Sequence, residues 1–290
     1  MDGFSEGREV KVMAQSFWDR ITDMSPRPLY IILILAIAFP FISPLRIPIS
    51  IADYTKAAYN FVESLPPGSI VLSPNVIEAS CWGECGYAWI ATWEHFFQKD
   101  LKIVAISLYK DGPLLCERVI DVLKSRGVNV EYGVNYVNLG LVPGFNSAIA
   151  AMVEPPDGLH RLVKTDYFGN SINTLPLMSE IKCIEQVDLI CSFTSGWGED
   201  WVGLAVIPYG AKYIYSCIGV MQPTLVNQYS LKLCIGGLAG LKGGAEYELM
   251  MGNPSTGVKS MDAISTTHAL VIIFIVVGNI AMVFTRKKGD

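Results

Sequence analysis

Charge is scarce in this chain. Asp, Glu, Lys and Arg make up 17% of its 290 residues, against about 25% in a typical soluble domain. Histidine is scarcer still, with His95, His160 and His268 far apart, so neither a zinc-ligand spacing nor a general base stands out. The short motifs that announce nucleotide or acyl chemistry are missing too. The first expected strand is followed by Ser73-Pro74-Asn75 rather than a glycine-rich turn, no Gly-x-x-x-x-Gly-Lys-Ser/Thr occurs, and no Gly-x-Ser-x-Gly elbow occurs. These absences take dinucleotide, P-loop and elbow-type hydrolase chemistry out of the reading, and no cofactor or metal is expected. Internal repeats and low-complexity segments are absent as well, which argues against solenoids and disordered tails.

What replaces charge is apolar surface. Hydrophobic residues reach 51% with a mean hydropathy of +0.37, and part of that excess lies in two uncharged runs. The first, Pro28 to Leu45, is bracketed by Arg27 and Arg46 and would reach about 27 Å as a helix. It is marginal, since Pro40 and Pro44 invite a kink or early exit. A signal peptide is the rival reading, disfavoured because 27 residues of mixed charge precede the run and no small-residue cleavage site follows. The second run, Ala263 to Thr285, ends in Arg286-Lys287-Lys288 and is the better anchor.

The expected organisation is therefore a tail over 1–27, transmembrane helices over 28–46 and 263–285, a domain over 47–262 with an irregular segment over 154–181, and a basic tail over 286–290. The cationic cluster after the second run favours a cytoplasmic C-terminus. Two spans then put both termini in the cytoplasm and the domain outside the cell membrane. In the tail, Val10, Met13, Phe17, Ile21 and Met24 recur at helical steps, reading as an amphipathic helix on the bilayer, on a partner, or against the chain's own anchors. Residues 47–262 carry 14 cationic and 21 acidic side chains, a balance of −7, which argues against nucleic acid.

Seven cysteines, Cys81, Cys85, Cys116, Cys183, Cys191, Cys217 and Cys234, form an odd set partly within apolar stretches. They pull mildly towards a reducing environment, against the external placement. Cys81 and Cys85 are one helical turn apart, suiting an inert role or a structural disulfide; the spacing is wrong for zinc or a two-residue redox motif.

Between the anchors, short apolar runs alternate with helix-like segments. Helix Ile51–Leu65 stops at Pro66-Pro67-Gly68. Strands are expected at Ser69–Ser73, Lys102–Ser107, Val128–Tyr132, Val187–Phe193 and Lys212–Cys217. Helices are expected at Glu84–Gln98, Gly112–Arg126, Phe145–Val153, Glu199–Ile207 and, as one long final element, Pro223 to about Met250. The pattern implies a doubly wound, mainly parallel, Rossmann-like α/β sheet.

In such sheets ligands sit beyond the carboxyl ends of the strands. The loops expected there supply Asn75, Lys110, Asp111, Thr194, Ser195, Gly196, Trp197 and Gln222, the candidate ligand-binding set. Thr194 to Asp200 is the richest, although Glu199 and Asp200 would repel an anion, and capping and turn formation are the other reading of this loop. Gly236, Gly240 and Gly244 recur every four residues in the expected final helix, a groove suited to close packing inside the chain or between subunits. Asn279, beside Gly278, places an amide within the second anchor and points to helix association. The uncharged stretches Gly133 to Val153 and Trp201 to Ala211 suggest contact surfaces.

The function these features favour is a membrane-anchored interaction module, a structural or scaffold subunit that associates with itself or with other membrane subunits. One alternative is a small-molecule sensor with its pocket at the strand ends. Another is a membrane-bound hydrolase or transferase using Ser195, Asp111 or Asp200.

Overall fold

The computed structural model describes residues 17–196 and 198–286. Most of the expected amphipathic tail, Trp197 and residues 287–290 lie outside that description; within it, Phe17–Thr22 is helical. The chain divides into two units, one spanning Arg46–Met261 and the other formed by the residues on either side of it.

The first unit is an α/β sandwich around six strands: β1 (Ile70–Val76), β2 (Lys102–Ser107), β3 (Tyr136–Leu141), β4 (Leu189–Thr194), β5 (Tyr213–Cys217) and β6 (Gly236–Ala239). All are parallel, in the order β3-β2-β1-β4-β5-β6. This is the doubly wound, Rossmann-like order, with its switch point between β1 and β4. Every residue of β1 is buried, as expected of a central strand covered on both faces. On one face pack α2 (Asp53–Ser64), α3 (Trp82–Gln98), α4 (Gly112–Ser125) and α7 (Gly240–Met250), around Trp89, Trp93, Phe96, Phe193 and Tyr247. On the other lie α5 (Asn146–Val153), α6 (Gln222–Ser230) and several shorter pieces, around Ile149, Met152, Leu177, Trp201 and Tyr215.

Three expectations are corrected. Strand β1 does not stop at Ser73 but runs through Pro74 and Asn75 to Val76. Proline lacks the N–H that a central strand needs, and the β1–β4 register puts that missing donor opposite the Cys191 carbonyl. The Ser73 hydroxyl donates to Cys191 O at 3.2 Å instead, while accepting the Trp93 indole N–H at 3.1 Å. The third strand lies at Tyr136–Leu141, not Val128–Tyr132. Gly133, at φ +83°, turns the chain, and the Asn135 side chain accepts from Glu131 N and donates to Asn129 O, closing a loop where a strand was expected.

The long final helix is in fact α6, β6 and α7. Lys232, at φ +59°, ends α6, and Gly236 and Gly237 admit the backbones of α2 and β5, which a side chain would strike. The three glycines thus share no helix face. Gly236 lies in β6 against α2, Gly240 sits at φ +54° where β6 turns into α7, and of the three only Gly244 packs one helix on another, its Cβ position 2.7 Å from Ala88 N of α3.

A buried relay joins three helices on the first face. His95 of α3 lies 2.8 Å from the Tyr247 hydroxyl of α7 through Nδ1 and 3.0 Å from Glu63 of α2 through Nε2, with Tyr59 stacked over its ring at 4.6 Å. Burial lowers the pKa of His95. The neutral ring with its proton on Nε2 satisfies every partner: Tyr247 donates to Nδ1, and Nε2–H donates to the Glu63 carboxylate.

The last helix, α8 (Thr256–Arg286), starts within the α/β unit. Its first amides are held by Glu248 of α7, 5% exposed, which accepts from Ser255 N, Gly257 N and Val258 N at 2.9 Å each. Arg126 adds a second tie, donating to Ser255 Oγ at 3.1 Å and pairing with Glu94. A carboxylate aimed at a helix N-terminus satisfies orphan donors and the helix dipole together.

Among the described residues one helix is long and apolar enough to cross a membrane, Thr256–Thr285, with a mean hydropathy of 2.3 over its best window. The first run, expected as a second span over 28–46, forms only the 16-residue helix α1 (Arg27–Ile42). That is about 24 Å at 1.5 Å per residue, short of a ~30 Å hydrocarbon core. Helix α1 keeps Pro40 within its last turn and ends at Ser43, ahead of Pro44. In this second unit Trp18 stacks on Phe284 with centroids 5.2 Å apart. Ile32, Leu35 and Phe39 of α1 share a cavity of about 530 Å³ with Thr266 and Leu270 of α8.

Candidate functional site

The switch point between β1 and β4 is where this topology offers a crevice. Here the loop after β4 folds over the end of β1: Ser195 donates to Val76 O through its backbone N at 2.8 Å and through its hydroxyl at 3.1 Å. The Thr194 hydroxyl accepts Gly196 N at 3.0 Å. These three residues stand together as expected, but their polar atoms serve the turn.

Asn75 is wholly buried. Its amide donates to Ile106 O at 3.1 Å and to Cys116 Sγ at 3.2 Å, and its oxygen accepts the Ser107 hydroxyl at 2.8 Å. Gly112 closes over it, leaving no path to a ligand. Asp111 reaches across to the loop after β1 and accepts Ala79 N at 3.0 Å. Lys110 is exposed. Gln222, beyond β5, donates to the Tyr54 hydroxyl of α2 at 3.0 Å. Trp197 lies outside the described residues.

Glu84, which sequence reasoning missed, accepts Gly219 N in the loop after β5. Free backbone donors after β1 and β5 are what an anionic ligand would use. Asp111 and Glu84 supply the anions from within the chain. The strand-end loops also carry Glu78, Glu199 and Asp200 against the single cation Lys110, a sign of charge that disfavours phosphate. Only the acid after Cys81, one turn into a helix, could have flagged Glu84, and an acid in a first turn is ordinary.

Ser195 has no imidazole beside it: His95 bonds Tyr247 and Glu63, and His160 faces the carbonyls of Met178 and Ile181. The Tyr247–His95–Glu63 relay resembles a catalytic chain in connectivity, but Tyr247 is fully buried and touches no crevice. All seven cysteines are free thiols, and burial raises the pKa of Cys85, Cys116 and Cys191 well above the ordinary thiol range. Among the described residues no group of three or more His, Cys, Asp or Glu is placed to hold a metal ion.

Open space lies elsewhere. A cavity of about 690 Å³ sits at the opposite, amino-terminal ends of β5 and β6, lined among others by Lys212, Tyr213, Tyr229, Ser230, Lys232 and Cys234. No family model, no curated protein and no solved structure matches this chain.

Proposed function

We propose that the chain is a membrane-anchored α/β interaction module, a structural or scaffold subunit of a homo- or hetero-oligomeric membrane complex. The observation that carries this reading is the junction at Glu248. The N-terminus of an apolar, membrane-length helix is built into the α/β unit by three hydrogen bonds to one buried carboxylate. Such a junction fixes, within the α/β unit itself, the point at which the helix begins, a feature suited to an assembling subunit.

Two further features support it. The donors after β1 and β5 are satisfied internally, and large apolar side chains stand exposed on the α/β unit, including Val220 (75%), Ile207 (67%), Leu114 (66%) and Leu231 (61%). In this reading α1 is a short second pass beside α8, both termini face the cytoplasm and the domain lies outside. Alkaline extraction combined with protease protection tests it. The expected result is a chain retained in the membrane with residues 46–261 digested from the external side; release by alkali, or protection of the domain, contradicts it.

A small-molecule sensor is the second reading, favoured by the cavity beside Lys212 and Lys232. It moves the pocket from the strand ends, where the sequence placed it, to the amino edge of the sheet.

A further inference from the structure

Helix α8 has one covered stripe and one bare one. Ala263, Thr267, Leu270, Phe274, Gly278, Ala281 and Thr285 recur at steps of three or four and are buried or half-buried. Ala263 and Thr267 share a cavity with Ile37, and Leu270 shares another with Ile32 and Leu35, so this stripe faces α1. At 100° per residue, Asn279 falls on the other side of the helix. It is exposed, and its side-chain amide makes no hydrogen bond among the described residues.

Asn279 precedes the end of the uncharged run by six residues, about 9 Å along the helix and within the hydrocarbon region. The Thr266, Thr267 and Thr285 hydroxyls bond to the carbonyls four residues earlier. An amide has no such local remedy, and a bare one in lipid costs free energy until another helix supplies a partner. Its neighbours on the same face form a seam. Ile272 (60% exposed), Ile275 (58%), Asn279 and Met282 (47%) follow at steps of three, four and three, the heptad rhythm of a helix pair, with asparagine at an inward position.

We infer that two copies of this chain pair through this outer face of α8, with the two Asn279 amides hydrogen-bonded to each other across a two-fold axis. A second copy is the fitting occupant because a carboxamide is self-complementary. Each donates through Nδ2 and accepts through Oδ1, so an isologous contact satisfies both, and the uncharged Ile272–Ile275–Met282 seam matches itself equally well. The pairing rests on the membrane reading of α8 proposed above.

The test is dimerisation of the full-length chain in detergent, measured by fluorescence transfer across a protein-to-detergent titration, for wild type, Asn279→Leu and Asn279→Gln. Interhelical amide bonds of this kind are worth about 5- to 30-fold in association, so Asn279→Leu should weaken dimerisation by that factor. Asn279→Gln should recover most of it, with the unfolding midpoint of the α/β unit unchanged in both. In membranes, oxidative cross-linking should join Ile275→Cys chains and spare Val277→Cys, on the opposite side of the helix; native cysteines all lie between residues 81 and 234. A wild-type dimer indifferent to Asn279→Leu, or cross-linked equally at both positions, overturns this pairing and leaves the assembly reading standing. A wild-type monomer throughout the titration overturns both the pairing and self-assembly.

Discussion

Replacing Glu248 with alanine should loosen the start of α8. The carboxylate accepts three backbone N–H groups at 2.9 Å, and alanine leaves all three without a partner beneath a buried surface. Hydrogen bonds to a charged group contribute about 1.5–3 kcal/mol each, and an N-cap as a whole about 0.5–2 kcal/mol. Burial of Glu248 offsets part of this, since desolvation raises its pKa against the pull of the same three amides and of Arg126. A net loss of roughly 2–4 kcal/mol follows.

Urea unfolding in detergent, followed by tryptophan fluorescence, reads that loss, and hydrogen exchange at Ser255, Gly257 and Val258 localises it. A loss under about 0.5 kcal/mol, the scale of an ordinary surface change, with unchanged exchange would refute the clamp. The pH dependence is a second check. A folded-state pKa above the unfolded value means that Glu248 stabilises fully below the ordinary carboxyl range, and that this contribution is lost as pH rises through the raised pKa. Asn and Gln side chains do not titrate, so Glu248→Gln should lose less stability than wild type between about pH 4 and pH 8; parallel curves would contradict the assignment.

Further expectations concern the α/β unit. Ser73→Ala strands the Trp93 indole N–H and the Cys191 carbonyl in a fully buried place, and should cost about 2–4 kcal/mol by urea unfolding. His95 is held neutral with a lowered pKa, so its contribution is present above about pH 6.5 and is lost as pH falls through the folded value. A His95→Gln chain should show a flatter stability profile between about pH 7 and pH 5. Gly240→Ala meets both a left-handed φ and Gly219 N at 2.9 Å, and a loss of about 1–3 kcal/mol is expected by thermal unfolding.

The sheet was largely legible because four of its strands are continuous apolar runs bounded by breakers, as at Ile70–Leu72 and Lys102–Ser107. Elsewhere local chemistry hid the answer. Pro74 reads as a stop, and only a tertiary hydroxyl from Ser73 makes it tolerable in a central strand. Strand β6, Gly236-Gly237-Leu238-Ala239, has no β-branched residue; it is a strand because glycine alone lets β5 and α2 approach its backbone. Val128–Tyr132 has strand composition, but the turn at Gly133 delays pairing until Tyr136.

At the candidate site the polar residues of the β4 loop, and turn formation as one role for them, were legible, but not the partner they meet. That role depends on Val76 and Gly196 accepting and donating across the strand ends. Nothing local marks Glu84 or Glu248 as caps, because each bonds amides that only the fold brings near. Asn279 stands out for the opposite reason, being a polar group in an otherwise apolar run; that it faces away from α1 needed α1 in place.

The proposed role requires that the chain assembles. Its mass in a mild-detergent extract, by light scattering with detergent subtracted and mass spectrometry of every co-purifying polypeptide, is the most direct measurement. A defined particle of two or more chains, or of this chain with fixed partners, is the predicted result; a lone 31.8 kDa chain at every detergent ratio contradicts it.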